Sequence, residues 1–308
     1  MGPNDYGAGG AGGVCVVVRA ATPGRGSGRS PLARPRAGVA ARAAPRPVMA
    51  GAQKGMERWI GRVALVTGAS SGIGAAVARD LVSHGLTVVG LARRKHRVKE
   101  IAEELIECRG KLYAVKADIS KEEDIVHAFI WVEKTLGGVD ILINSASVTA
   151  SVPIVDGKSD EWKRIFDVNV YGPSICAREA VKSMKGRGVD DGYIININTL
   201  PPSPGGARDS ILKASKLALT VLTDGLRAEF TEAKSRIKVT CVTPGAMTSG
   251  ETNKGTPEIL RRQTLLEERH VAEMVTFILA TPPNIQVSDL TLKPIASKPA
   301  TFRPRLSK

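Results

Sequence analysis

The chain is poor in the residues that most often carry chemistry: four cysteines, four histidines and four tyrosines in 308 residues. Cys15, Cys108, Cys176 and Cys241 are widely scattered. No two of them have metal-ligand or redox-motif spacing, so no metal is expected and the thiols read as reduced groups in a reducing compartment. His84, His96, His127 and His270 have no acid or nucleophile at motif spacing, and none is assigned chemistry. No apolar run approaches about 18 residues, which argues against a membrane-spanning helix. Tyrosine occurs only at positions 6, 113, 171 and 193, so the stretch 205–216 has none.

Charge of one sign is scarce at the N-terminus. Over residues 1–55 seven arginines and one lysine face a single aspartate, so half of the formal charge of +14 sits there. Gly, Ala, Arg and Pro dominate this stretch, a composition that forms no packed core and reads as a disordered arm. Three readings stay open. An Arg- and Ala-rich, acid-poor leader resembles a mitochondrial presequence, although its Gly and Pro content opposes the usual amphipathic helix. A basic arm also suits nucleic acid, but no aromatic residue after Tyr6 interleaves with these arginines. The third reading is an upstream extension without a role, with Met49 or Met56 as the start of the ordered sequence. A cytoplasmic location is expected, or a mitochondrial one if the arm acts as a presequence.

From residue 60 the pattern changes. Short aliphatic, β-branched runs at 63–67, 87–91, 112–117, 139–144, 193–198, 238–242 and 287–292 predict strands. Amphipathic stretches near 73–84, 96–108, 121–136, 160–184, 211–232 and 257–280 predict helices between them. That alternation specifies an α/β fold: one Rossmann-type, doubly wound domain over 56–295, with a seven-stranded, mostly parallel sheet flanked by helices. Residues 296–308 read as a flexible basic tail. Trp131 and Trp162 fall on helical stretches and read as packing residues.

The segment Thr67-Gly68-Ala69-Ser70-Ser71-Gly72-Ile73-Gly74 joins the first strand to the first helix. There Gly68 allows the tight turn, Gly72 lets the backbone approach a phosphate and Gly74 lets helix and strand pack closely. The helix N-terminus adds unpaired N–H groups and the positive end of its dipole. An NAD site wants an acid after the second strand for the ribose 2′-hydroxyl. This chain has Leu91-Ala92-Arg93-Arg94-Lys95 instead. A 2′-phosphate is the natural partner of Arg93, so NADP(H) is the expected cofactor.

These motifs resemble the short-chain dehydrogenase/reductase family over residues 58–293. Asp118, in Ala117-Asp118-Ile119, matches its adenine-contacting Asp. Asn144-Ser145-Ala146-Ser147 stands where the family reads Asn-Asn-Ala-Gly, and Asn169 matches its helix asparagine. Pro244-Gly245 matches the pair that follows the sixth strand, and Ser249 the family's threonine five residues after that proline. The resemblance implies cofactor contacts from Gly68, Ser70, Ser71, Gly72, Ile73, Gly74, Arg93, Asp118, Ile119, Asn144, Ala146, Lys216, Pro244, Gly245 and Ser249. Met56-Glu57-Arg58-Trp59, Asp190-Asp191-Gly192 and Ser174 to Ala180 are similar to a narrower group, dehydrogenase/reductase member 11 and farnesol dehydrogenases.

The resemblance also implies hydride transfer assisted by a Ser, a Tyr, a Lys and an Asn. Carried over by position, Asn169 is the Asn, Lys216 the Lys and Thr199 the Ser, while Leu212 occupies the Tyr position. Leucine has no proton to give, and a positioned acid is worth about 10²–10⁴ in rate. Lys216 would need a pKa depressed toward neutrality by burial to act in its place. Ser147 adds a side chain near the implied nicotinamide ribose. Pro201-Pro202-Ser203-Pro204-Gly205-Gly206 makes a stiff loop at one wall of the implied substrate pocket. Lys254, Arg261, Arg262 and Arg269 suggest no apolar lid. The expectation is an NADP(H)-dependent oxidoreductase on farnesol- or steroid-like alcohols and ketones, with impaired catalysis. The alternative is a non-catalytic NADP(H)-binding pseudoenzyme. No nucleic-acid partner is expected, and the family implies a homodimer or homotetramer through the helices near 160–184 and 211–232.

Overall fold

Period-two alternation decides which side of the sheet each strand residue feeds. In β1 (Val63–Thr67) all five residues are buried, so both faces are covered. Ala64 and Val66 join one hydrophobic cluster, with Val77, Leu81 and Val82 of α1 (Gly72–Ser83) and Val275, Ile278 and Leu279 of α7 (Glu268–Ala280). Val63 and Leu65 join the other, with Ile125, Phe129 and Val132 of α3 (Glu122–Leu136) and Cys176, Ala180 and Met184 of α5 (Gly172–Gly186). Each such aliphatic side chain contributes about 1.5–3 kcal/mol on full burial.

The computed structural model describes residues 55–199, 209–247 and 265–294. The remaining strands are β2 (Thr87–Ala92), β3 (Lys111–Lys116), β4 (Ile141–Asn144), β5 (Tyr193–Ile197), β6 (Lys238–Pro244) and β7 (Asp289–Leu292). The remaining helices are α2 (Lys95–Glu104), α4 (Ser159–Phe166) and α6 (Ser210–Glu232). The sheet runs β3-β2-β1-β4-β5-β6-β7, and all six strand pairs are parallel. The order reverses between β1 and β4, which opens a crevice at their C-terminal ends, where such sheets bind ligands. The seven strands match the sequence expectation to within two residues at every end. The arm (apart from Gly55), the tail, the proline-rich loop and Ser249 lie outside the described residues.

The expected helix over 160–184 is not continuous. A π-helical segment, Asp167–Tyr171, separates α4 from α5, and Pro173 follows in the first turn of α5. Proline lacks the N–H that an unbroken α-helix would require. Helix ends follow their local chemistry. α3 begins with Glu122, Glu123 and Asp124 and ends at Gly137 in the left-handed conformation, φ 82°. α7 is held by a capping box between Glu267 and His270. α1 is different: Ser71 makes no side-chain cap, and its first turn has no acid. Trp131, as expected, packs, its ring 6.0 Å from that of Tyr113.

Candidate active site

The crevice beyond β1 and β4 is a cleft lined by Gly68, Ser70, Ser71, Arg93, Arg94, Asp118, Ile119, Ala146, Ser147 and Val148, among others. These come from the C-terminal ends of four adjacent strands. Two glycines make the turn possible. Gly68 has φ +71°, and a Cβ there would lie 2.8 Å from the Cα of Ala146. A Cβ on Gly74 would lie 2.5 Å from the carbonyl oxygen of Gly68, so helix and strand pack closer than any side chain allows. Gly72 and Ile73 open α1 beside the cleft. Thr67 fixes the other wall: its hydroxyl accepts from the N–H groups of Ser145 and Ala146, at 3.0 and 3.1 Å.

The charge of this end suits a phosphate. The uncapped, acid-free start of α1 presents backbone N–H groups that no side chain has claimed. The Arg94 guanidinium reaches across the turn and donates to the hydroxyls of Ser70 and Ser71, at 3.3 and 3.0 Å. Arg93 lines the same cleft and bears on Asp118. Burial pushes the Asp118 carboxyl up. Bonds from the Ser120 hydroxyl and N–H, with the charges of Arg93 and Lys121, outweigh it and hold the group below the usual carboxylate range. The residues therefore fit a dinucleotide: N–H groups and two guanidiniums for phosphate, and an ionised carboxylate to accept hydrogen bonds.

A second cluster lies at the β4 side of the cleft. Lys216 of α6 is 3 % exposed, and among the described residues no carboxylate lies within ion-pair distance of it. Burial pushes its amine down to about 8; Cys241 of β6 acts weakly in the opposite sense. Nζ donates to Ser147 Oγ at 2.7 Å. Ser147 Oγ in turn donates to Asn169 Oδ1 at 3.2 Å. Asn169 sits in the π-helical segment and is itself pinned: Oδ1 accepts from Val148 N at 2.8 Å, and Nδ2 donates to Val148 O at 2.9 Å and to Ser215 Oγ at 3.1 Å. Such segments recur at functional sites.

The other expected residues are placed as follows. Asn144 spends its amide on the scaffold, donating to Asn196 Oδ1 of β5 and to Pro173 O of α5. Thr199 follows β5 and donates its N–H to Asn198 Oδ1; among the described residues no side-chain bond joins it to Lys216, Ser147 or Asn169. Pro244 ends β6, and the N–H of Gly245 donates to Leu292 O. Leu212 lies one helical turn before Lys216 on α6, and its carbonyl accepts from Ser215 Oγ. Sequence reasoning did not assign Thr67, Arg94 or Ser215 to the site. Arg94 was in view beside Arg93; the other two signal themselves only through partners distant in sequence.

The family model described as short chain dehydrogenase matches residues 62–258. A Dehydrogenase/reductase SDR family member 11 from Gallus gallus is 42% identical, covering 78% of this chain and 98% of the relative. A Farnesol dehydrogenase from Aedes aegypti is 43% identical, covering 79% of this chain and 100% of the relative. Among solved structures, a metagenomic short-chain oxidoreductase in complex with NADP superposes with a TM-score of 0.64 at 27% identity, over 77% of this chain and 98% of that one.

Proposed function

The chain belongs to the short-chain dehydrogenase family, and on that premise we propose that it is an NADP(H)-dependent oxidoreductase of alcohol and ketone groups, of the farnesol or steroid kind, working slowly. The observation that carries the cofactor choice is the pair Arg93 and Arg94 at the cleft, with no carboxylate after β2. A guanidinium binds a 2′-phosphate in bidentate fashion, whereas an NAD site would place an acid there. Gly68, Ser70, Ser71, Gly72, Ile73, Gly74, Asp118, Ile119, Ala146 and the Pro244-Gly245 corner would hold the rest of the dinucleotide. When bound, it supplies the hydride. Asn169, Lys216 and Thr199 are the residues read as serving the proton side.

Slow turnover is read from Leu212, the residue at the family's tyrosine position. The same observation supports a second reading, a pseudoenzyme that holds NADP(H) without turnover. One experiment addresses both: titration of the full chain with NADPH and NADH, followed by nicotinamide fluorescence. Tight NADPH binding with much weaker NADH binding is the expected result. Equal affinities would remove the NADP(H) preference, and no binding by folded protein would remove the oxidoreductase reading.

A further inference from the structure

An exposed hydroxyl bonded to a buried, ion-pair-free amine is an uncommon pairing, and the cleft contains one. Ser147 is exposed and lines the cleft, while its partner Lys216 is buried behind it. Three features suit the pair to moving a proton. The Nζ–Oγ contact of 2.7 Å is within direct transfer reach. Asn169 Oδ1 takes the serine hydroxyl at 3.2 Å and is fixed by three further bonds, so the serine rotamer has a defined second partner. The amine, desolvated and without a carboxylate among the described residues, gives up its proton far more readily than an ordinary lysine. Among the described residues Cys241 is the one titratable group that bears on it, and burial raises the pKa of that thiol, favouring its protonated form.

We propose that the Ser147 hydroxyl is the proton donor of this cleft, refilled by Lys216 and held in line by Asn169. The proposal rests on the oxidoreductase reading above. As a carbonyl oxygen of the substrate gains negative charge, the Ser147 hydroxyl turns to it from Asn169 Oδ1, its O–H bond breaks and the proton passes to that oxygen. The Lys216 ammonium then returns a proton to Oγ and is left as a neutral amine, which refills from water. In the oxidative direction the same bonds form and break in reverse. A hydroxyl from the loop after β4 thus takes the proton duty that Leu212 cannot perform from α6. Serine is a weak acid, so the lysine behind it, not the serine, sets the pH range of the step.

The test uses the full chain and Ser147→Ala, with Ser147→Thr as the variant that keeps the hydroxyl. First, the Nζ resonance of isotope-labelled Lys216 is followed against pH without cofactor. Loss of its hydrogen-bond acceptor should move the midpoint down in Ser147→Ala and leave it near wild type in Ser147→Thr. Second, NADPH affinity and NADPH-dependent reduction of a steroid ketone are measured. The expected result is unchanged NADPH affinity with kcat reduced about 10²-fold in Ser147→Ala, and most of it retained in Ser147→Thr. An unmoved Lys216 midpoint overturns the proposal. So does a Ser147→Ala enzyme as fast as wild type, which would make the serine an obstacle, and so does a wild type that binds NADPH without turnover. Failure to bind NADPH overturns the oxidoreductase reading first, and the relay with it.

Discussion

The two sides of the cleft differ in how their polar groups are committed. On the α1 side the geometry leaves groups suited to an anion facing the cleft: a turn of two glycines where a Cβ would strike backbone, an uncapped helix end and two arginines. On the β4–α6 side the polar side chains are instead bonded to one another. Lys216 and Asn169 are linked, but through Ser147, with Leu212 one turn away on the same helix. A cofactor pocket tolerates little change because many weak contacts must converge on one molecule. A proton path needs only a chain of hydroxyls and amines of suitable acidity, and more than one arrangement meets that need.

The largest expected effect comes from placing a phenol at position 212. Leu212→Tyr should raise kcat for NADPH-dependent ketone reduction by about 10²-fold, within the range for a positioned acid, with NADPH affinity unchanged. No gain would mean that the α6 side has diverged beyond one residue. Next, replacing both Arg93 and Arg94 by Ala should weaken NADPH binding roughly 10–100-fold, at about 1.5–3 kcal/mol for bonds to charged groups. NADH binding should hardly move; an equal loss for both would show that the arginines serve the fold and not the 2′-phosphate.

The third effect is on stability and has the opposite sign to activity. Burial lowers the Lys216 pKa from 10.5 to about 8. Below about pH 8 the folded protein therefore carries a charged amine at a desolvation cost. Between about 8 and 10.5 the unfolded chain holds that proton and the folded one does not, so stability rises with pH. Lys216→Met should thus be more stable than wild type at neutral pH, by about 1–3 kcal/mol, and inactive. Its advantage in thermal melts should shrink as pH rises past 8. Lys238 is pushed down to about 8 by burial as well, so the difference between the two proteins, not the wild-type profile alone, isolates Lys216. A variant less stable than wild type at neutral pH would show that the Ser147 bond outweighs the cost of burial. The smallest effect belongs to Ser70→Ala, which removes the longer Arg94 contact, 3.3 Å and exposed. NADPH affinity should change less than about threefold, as expected for a net hydrogen bond near 0.5 kcal/mol.

Much of this was legible in the sequence. The inner strands were, because both-face burial writes them as unbroken aliphatic runs such as 63–66 and 141–143. The glycine turn was, because its function depends on backbone shape and so on residue identity at fixed spacing. The Lys216–Ser147 bond was not, since it joins side chains 69 positions apart. Read alone, Ser147 was only a glycine position filled by something larger. Asn144, expected at the cofactor, also braces β4 against β5 and α5 through its amide nitrogen; nothing local in the sequence signals that bracing. The break at 167–171 was hidden as well, because a π-helical segment keeps the amphipathic look of the helices around it.

That break has a consequence for how the site can vary. An α-helix turns about 100° per residue, and the π-helical segment absorbs one residue more than an α-turn would. Deleting one residue other than Asn169 from 167–171 would close the segment into regular helix while leaving α4 and α5 nearly in phase, because the wider π turn had taken up the extra residue. Asn169 would then leave Val148 and Ser215 with every side chain in the neighbourhood unaltered. The position of this amide is set by arithmetic as much as by chemistry, and a shift of count there would undo it more completely than many changes of letter.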